Sequence, residues 1–314
     1  LRRLTIEECC SLGQYNAAEL SQLFESGRNV MDWLKEQEHA GTNTPTAILY
    51  SYDIQAGSYT TLAARPDIAA LKARFAARVA PHIARFSPRS ILDAGCGEAT
   101  TLAPLLDAVG EKRPVDVLGF DISLSRLLFA RENLPGKGAK LFTAELGRIP
   151  LPADAVDVVV TCHALEPNGG QEEALLAELL RVARLGLVLV EPSYERATPS
   201  GRARMERLGY VRGLPASLRR LGVVPVVDEP LGVDINPENP AALIVIEKAG
   251  AGPRGEGAAF ASPISLKPLV RRTDCLFCEE DGHAFPIIDG IPCLTRDSAI
   301  LVSKLGRRSA ERQR

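Results

Sequence analysis

Ser90-Ile91-Leu92-Asp93-Ala94-Gly95-Cys96-Gly97-Glu98-Ala99-Thr100 is the stretch that decides how the rest of the chain is read. Ile91 and Leu92 make a short apolar strand, and Asp93 closes it. Gly95 and Gly97 carry no Cβ, so the backbone can turn tightly there and lie against a ligand. The residues after Glu98 read as a helix whose first N–H groups point back into the turn. A strand, a glycine turn and a helix form a cradle for a nucleotide-type cofactor. The dinucleotide fingerprint G-x-G-x-x-G sets pyrophosphate on the helix N-terminus. Here an acid precedes the glycines and Thr100 stands in the place of the last one. A carboxylate beside the cradle repels pyrophosphate and suits a cation, which argues against a dinucleotide-dependent dehydrogenase.

The chain has 314 residues, enough for one large core and a small accessory module. It is 46% hydrophobic and 24% charged, the balance of an ordinary globular protein. A net charge of −2 gives no global basic signature for nucleic acid. No apolar run approaches the ~18 residues of a membrane span. Leu1-Arg2-Arg3-Leu4 has no apolar stretch behind it, so no signal peptide is expected. The seven cysteines are odd in number and scattered, with Cys9 and Cys10 adjacent. That usage fits a reducing, cytoplasmic setting better than a disulfide framework. Oligomeric state is not legible in the sequence.

Leu92-Asp93-Ala94-Gly95-Cys96-Gly97 resembles the first motif of class I S-adenosylmethionine (SAM)-dependent methyltransferases, with Ala99 where the family often has a third glycine. Val115–Asp121 reads as a second strand ending in an acid, and Phe120-Asp121-Ile122-Ser123 resembles the family's second motif. The resemblance gives Asp121 the ribose hydroxyls; its alternative reading is a helix N-terminal acid. A third strand, Lys140–Ala144, leads to Glu145-Leu146, where family members hold the adenine amino group. Leu151–Val160 resembles the family's approach to the fourth strand, and its β-branched end suits a central buried parallel strand.

The resemblance implies a doubly wound α/β sheet of seven strands, closed by Leu187–Val190, Val223–Val227 and Ala242–Ile246. It implies SAM as cofactor, with Asp93, Ala94, Gly95 and Gly97 at its methionine end. Asp121, Ile122 and Ser123 would take its ribose, Ala144, Glu145 and Leu146 its adenine, and Cys162 would lie beside it. Ligands of open α/β sheets sit at the strand C-termini. His163, after the fourth strand, is therefore the candidate general base, since imidazole titrates near neutrality. Orienting backbone or packing on SAM is its alternative role. Glu191 and Tyr194, after the fifth strand, are substrate-pocket candidates against a reading as plain loop structure.

Upstream, helical spacing appears at Ala17, Leu20, Leu23 and Phe24 and again at Val30, Met31, Trp33 and Leu34. Ile48–Tyr59 is rich in tyrosine and polar groups. It resembles the segment that closes over SAM in related enzymes, which makes Gln55 a substrate and Tyr59 a cofactor candidate. Pro66 opens a helix to about 86, with Ile68, Leu71, Phe75 and Val79 as its apolar stripe. Arg202, Arg204, Arg207, Arg212, Arg219 and Arg220 face one acid, Glu206. They read as a solvated face or as a grip on an anionic substrate.

Expected boundaries are a helical lid at 1–64, a methyltransferase domain at 65–249, a Gly-rich linker at 250–258, a small module at 259–303 and a basic tail at 304–314. Phe285-Pro286-Ile287-Ile288-Asp289-Gly290-Ile291-Pro292-Cys293-Leu294 resembles the end of zinc-ribbon-like domains of the methyltransferase-activator type. In those domains a C-P-x-C opens the module. Here that opening falls on Ser262-Pro263-Ile264-Ser265, and Cys278 meets a later cysteine. Neutral hydroxyls are poor zinc ligands. Cys275, Cys278, His283 and Cys293 are a cramped alternative set, so no metal is expected. The module would be held by Phe277, Phe285, Ile287, Ile288, Ile291 and Leu294 packing on the large domain. The reading is a SAM-dependent methyltransferase acting on an oxygen, nitrogen or carbon of a small acceptor, an anionic one if the arginines grip it. RNA or protein methylation and a non-catalytic SAM-binding scaffold are the alternatives.

Overall fold

The computed structural model describes residues 15–110, 114–233, 236, 238–248 and 259–305. Cys9, Cys10, the 250–258 linker and residues 306–314 of the basic tail lie outside the described residues. Seven strands form one sheet: β1 (Ser90–Ala94), β2 (Asp116–Asp121), β3 (Lys140–Thr143), β4 (Val156–Cys162), β5 (Ala183–Pro192), β6 (Val227–Pro230) and β7 (Ala241–Glu247). Their order is β3-β2-β1-β4-β5-β7-β6, with β7 antiparallel to both neighbours. Val227–Pro230, not Val223–Val227, forms the edge strand β6. Of the expected run only Val227 belongs to it, since β-branched composition alone does not say where a ladder partner lies.

The central strands β1, β4, β5 and β7 are buried on both faces, as a sheet covered on both sides requires, whereas the edge strand β6 is half-exposed. Along β5, Leu187 and Leu189 join one buried cluster while Val188 and Val190 join the other. β7 divides likewise, with Ala242, Ile244 and Ile246 against Ala241, Leu243 and Val245. Helices α5 (Pro66–Ala84), α6 (Leu102–Val109) and α7 (Leu124–Asn133) cover the second face, and α8 (Glu172–Val182) and the helix Leu214–Arg220 the first. Asp93 pairs in register with Gly119 of β2 and Val160 of β4, so the ends of these strands open into one crevice where the strand order reverses.

The N-terminal segment packs over that crevice. It comprises α1 (Ala17–Glu25), α2 (Val30–Gln37), α3 (Pro45–Ile54) and α4 (Ser58–Ala63). Leu20, Val30, Leu34 and Ala47 form its own small core. Asn16, Asn29 and Thr44 cap α1, α2 and α3, each accepting a backbone N–H.

Residues 259–305 build a second, antiparallel sheet from β8 (Val270–Arg271), β9 (Cys275–Phe277), β10 (His283–Ile288), β11 (Ile291–Pro292) and β12 (Ile300–Leu301). It docks on the free edge of β3: Cys293 bridges Thr143 in parallel, and the Leu294 N–H donates to the Thr143 carbonyl at 3.1 Å. Covering β3 in this way removes an exposed sheet edge. Phe260 stacks edge-on against Phe142 with centroids 5.0 Å apart. Arg148 donates to the carbonyls of Pro263 and Ile264 at 2.9 Å each. Phe285 and Leu294 enter one core cluster of the large sheet and Ile291 the other. Ile288 departs from expectation at 49% exposed, because it ends β10 where the chain turns out to solvent through Asp289 and Gly290.

Candidate active site

A cavity of about 450 Å³ lies at the C-terminal ends of β1, β2 and β4 under the N-terminal helices. The glycine turn forms its floor. Gly95 has φ +76° and Gly97 has φ +53°, both left-handed. Side chains are excluded there on steric grounds too: a Cβ at Gly95 would strike Ala164, and one at Gly97 would strike the Arg126 guanidinium.

Asp121 ends β2 and is 6% exposed. Its Oδ2 accepts the Gly97 N–H at 2.9 Å and its Oδ1 the Ser123 N–H at 3.0 Å. The carboxylate is thereby locked facing the turn, and each oxygen keeps lone-pair capacity for a further donor. Ser123 caps α7 and its hydroxyl goes to Asp53 at 2.5 Å, so it supports the site from behind rather than lining it. Ile122, Ala144, Glu145, Leu146 and Cys162 line the cavity. Glu145 also accepts the Arg296 N–H of the C-terminal sheet at 3.3 Å. Burial pushes the Cys162 thiol well up, which makes it a neutral wall.

Asp93 and Ala94 are buried and do not reach the cavity wall. Burial, then the charges of Asp121 and Glu191, push the Asp93 carboxyl to about 7. Glu191 is wholly buried and its Oε1 accepts the Ala164 N–H at 3.0 Å, so it braces the loop beneath His163. Burial raises its carboxyl to about 7 as well. Gln55 turns back to the Ser51 carbonyl at 2.7 Å, and Tyr194 donates to Glu206 at 2.5 Å on another surface. Neither lines the cavity, because local acceptors satisfy both groups.

His163 lines it, with φ +54°. A non-glycine residue in the left-handed region costs on the order of 1–3 kcal/mol and persists only where its surroundings hold it. Here the His163 N–H donates to the Val190 carbonyl at 2.9 Å, and Nδ1 lies 2.6 Å from Glu166 Oε2. Glu166 also accepts from Asn239 Nδ2 at 3.2 Å and from the Tyr210 hydroxyl. Burial pushes the Glu166 carboxyl up, but these bonds and the His163 charge outweigh it and hold the group below its usual value.

Glu166, Asn239, Lys72, Tyr52 and Arg126 line the cavity too, and sequence reading did not find them. Lys72 donates to Thr100 and Thr101 at 3.0 and 3.2 Å, beside the first turn of α6. The Arg126 guanidinium lies over the rings of Tyr52 and Tyr59, 5.1 and 4.7 Å from their centroids, and 3.8 Å from Asp121. The α5 stripe Ile68, Leu71 and Phe75 faces the cavity rather than a dry core. Its spacing shows an apolar face without saying what that face meets.

The lid is latched on the turn itself. Glu98, with no exposed side chain, accepts the Gly57 and Thr60 N–H groups at 3.0 and 2.7 Å and the Thr60 hydroxyl at 2.6 Å. By contrast the arginine-rich run is partly consumed by protein partners: Arg220 pairs with Glu173 at 2.6 Å, Arg212 with Glu206 at 3.9 Å and Arg207 with Asp32 at 3.8 Å.

Residues 91–186 match a family described as "Methyltransferase domain". No curated protein matches the chain. Among solved structures, human N-acetylserotonin methyltransferase in complex with SAM is similar at 16% identity and a TM-score of 0.52, over 74% of this chain and 66% of that one. A SAM-dependent methyltransferase of Aquifex aeolicus aligns at 20% identity and TM-score 0.37 over 51% and 81%. The Haloferax volcanii complex of the Trm112 methyltransferase activator with a methyltransferase aligns at 15% and 0.42 over 54% and 84%. Residues 91–186 thus match a methyltransferase domain, and the large sheet shares its fold with the SAM-bound methyltransferase structure. A locked carboxylate at Asp121, further acids behind it and a glycine floor fit a cationic nucleoside cofactor. No helix among the described residues is long and apolar enough to cross a membrane.

Proposed function

We propose that the protein transfers the methyl group of SAM to an oxygen or nitrogen of a small acceptor held against His163. The carrying observation is the 2.6 Å pair of His163 and Glu166 in the wall of the cavity that also holds Gly97 and Asp121. When bound, SAM supplies an electrophilic methyl and takes back the S–C electron pair as it leaves. The protein's part is alignment and proton removal. Glu166 holds the His163 ring through Nδ1, and Nε2 is the nitrogen assigned to take the proton that the acceptor loses as its new bond to carbon forms. Asp121 holds the ribose, and Glu145 lies at the adenine end. Lys72, beside Thr100 and Thr101, is the cation suited to the methionine carboxylate.

Enclosure supports a small acceptor. The lid covers the cavity, and a volume of about 450 Å³ is in the range of small-ligand pockets rather than of a polymer track. Ile68, Leu71 and Phe75 line it with an apolar surface from α5, and Leu175 adds one from α8. The test is turnover of methyl-labelled SAM against a panel of apolar phenols, amines and carboxylic acids, with tRNA as a parallel arm. Label on a small acceptor, lost in His163→Ala, is expected. Label on RNA alone, weakening steeply with salt, would reject the reading.

A further inference from the structure

The resemblance of residues 259–303 to zinc ribbons implies a metal held by four donors from two C-x-x-C turns. The donor set here does not suit one. Among the described residues no cluster of three or more His, Cys, Asp or Glu is placed to hold a metal, which also separates Cys275, Cys278, His283 and Cys293. Two x-x spacings nevertheless converge: Ser262-x-x-Ser265 and Cys278-x-x-Asp281.

Asp281 sits where they meet. Its Oδ2 accepts the Ser262 hydroxyl at 2.7 Å and the Ser265 hydroxyl at 2.7 Å. The Cys278 sulfur lies 3.9 Å from the Ser265 hydroxyl. Oδ1 accepts the His283 N–H at 3.0 Å, with the His283 ring 3.3 Å away. Both turns are otherwise closed by their own backbone bonds: the Leu266 N–H reaches the Ser262 carbonyl at 2.8 Å, and the Gly282 N–H the Cys278 carbonyl at 3.0 Å. Ser262 and Cys278 are fully buried.

We infer that the carboxylate of Asp281 does the cross-linking that a metal does in four-thiolate ribbons, by accepting from Ser262 and Ser265 across the two turns. The chemistry is complementary. A zinc site needs deprotonated, mostly thiolate, donors arranged around a cation. Here two neutral hydroxyls, each with one proton to give, surround an anion that can only accept. The charge at the centre is inverted and the geometry of convergence retained. The sheet that abuts Glu145 through Arg296 therefore stays docked on β3 without a metal.

Three measurements on the full chain test this. Wild-type protein refolded with excess zinc should carry no stoichiometric metal after desalting and melt at the same temperature with EDTA. Asp281→Ala leaves the buried Ser262 hydroxyl and the half-buried Ser265 hydroxyl without their acceptor and should melt roughly 4–8 °C lower. The triple variant Ser262→Cys, Ser265→Cys, Asp281→Cys joins Cys278 to complete two C-x-x-C turns. It should take up one zinc per chain and lose its melting temperature to EDTA. One tightly held zinc in the wild type, or an unshifted melt for Asp281→Ala, would overturn the inference. So would a folded triple variant that binds no zinc, since the four positions would then not converge. A triple variant that fails to fold leaves the first two measurements to decide.

Discussion

Replacing Asp121 by alanine should weaken SAM binding by about 2–3 kcal/mol, roughly 30–150-fold. The carboxylate already spends one lone pair of each oxygen on the Gly97 and Ser123 N–H groups, at 2.9 and 3.0 Å. What remains, one acceptor direction per oxygen, matches two ribose hydroxyls. Two hydrogen bonds to a charged acceptor are worth ~1.5–3 kcal/mol each in isolation. The loss is held nearer the value of one, because water replaces part of it in the widened site. Alanine also orphans two backbone N–H groups and leaves Arg126, 3.8 Å away, without one of its acids, so stability falls as well. Affinity must therefore be read by calorimetry on protein shown by circular dichroism to be folded at the working temperature. Asp121→Asn is the size-matched control: it removes the charge and turns an N–H₂ group toward a backbone donor, so it should lose nearly as much. Folded Asp121→Ala that binds SAM within twofold of wild type would remove Asp121 from the cofactor site.

His163→Ala should lower turnover by ~10²-fold or more at unchanged SAM affinity, and Glu166→Gln should act in the same direction on kcat with a shifted pH–rate profile; a near-normal rate in both leaves His163 a packing role. The Asp93 carboxyl, raised to about 7 by burial and by Asp121 and Glu191, keeps a proton in the folded protein that the unfolded chain loses near pH 4. Its contribution to stability therefore declines as pH rises across that window. A cationic ligand favours the carboxylate, so SAM affinity should rise between pH 5.5 and 8 with proton release measurable at pH 6. Asp93→Asn should flatten that rise, and a pH-independent affinity in the wild type would sink the assignment.

The sequence by itself determined the central strands of the sheet and, through motifs that resemble a known family, the expected cofactor. Apolar runs such as Leu187–Val190 can be satisfied only by burial on both faces, and the placing of Gly95, Gly97 and Asp121 follows from local backbone geometry and strand ends. Local rules reach such features because the residues that interact are near in the chain. The acceptor side was beyond those rules. Glu166 and His163 are three apart, yet their pairing depends on a left-handed His163 backbone held by Val190 of another strand. Asn239, Lys72 and Arg126 come from three different elements, and only tertiary packing brings them to one cavity. Gln55, Glu191 and Tyr194 were plausible from composition. Ser51, Ala164 and Glu206 take their polar groups instead, because a partner close at hand satisfies a polar atom before a ligand can. In the C-terminal sheet the sequence showed two missing thiolates. That an anion at Asp281 fills the gap required the fold, since hydroxyls 19 and 16 residues from it in the chain meet it only when both turns close.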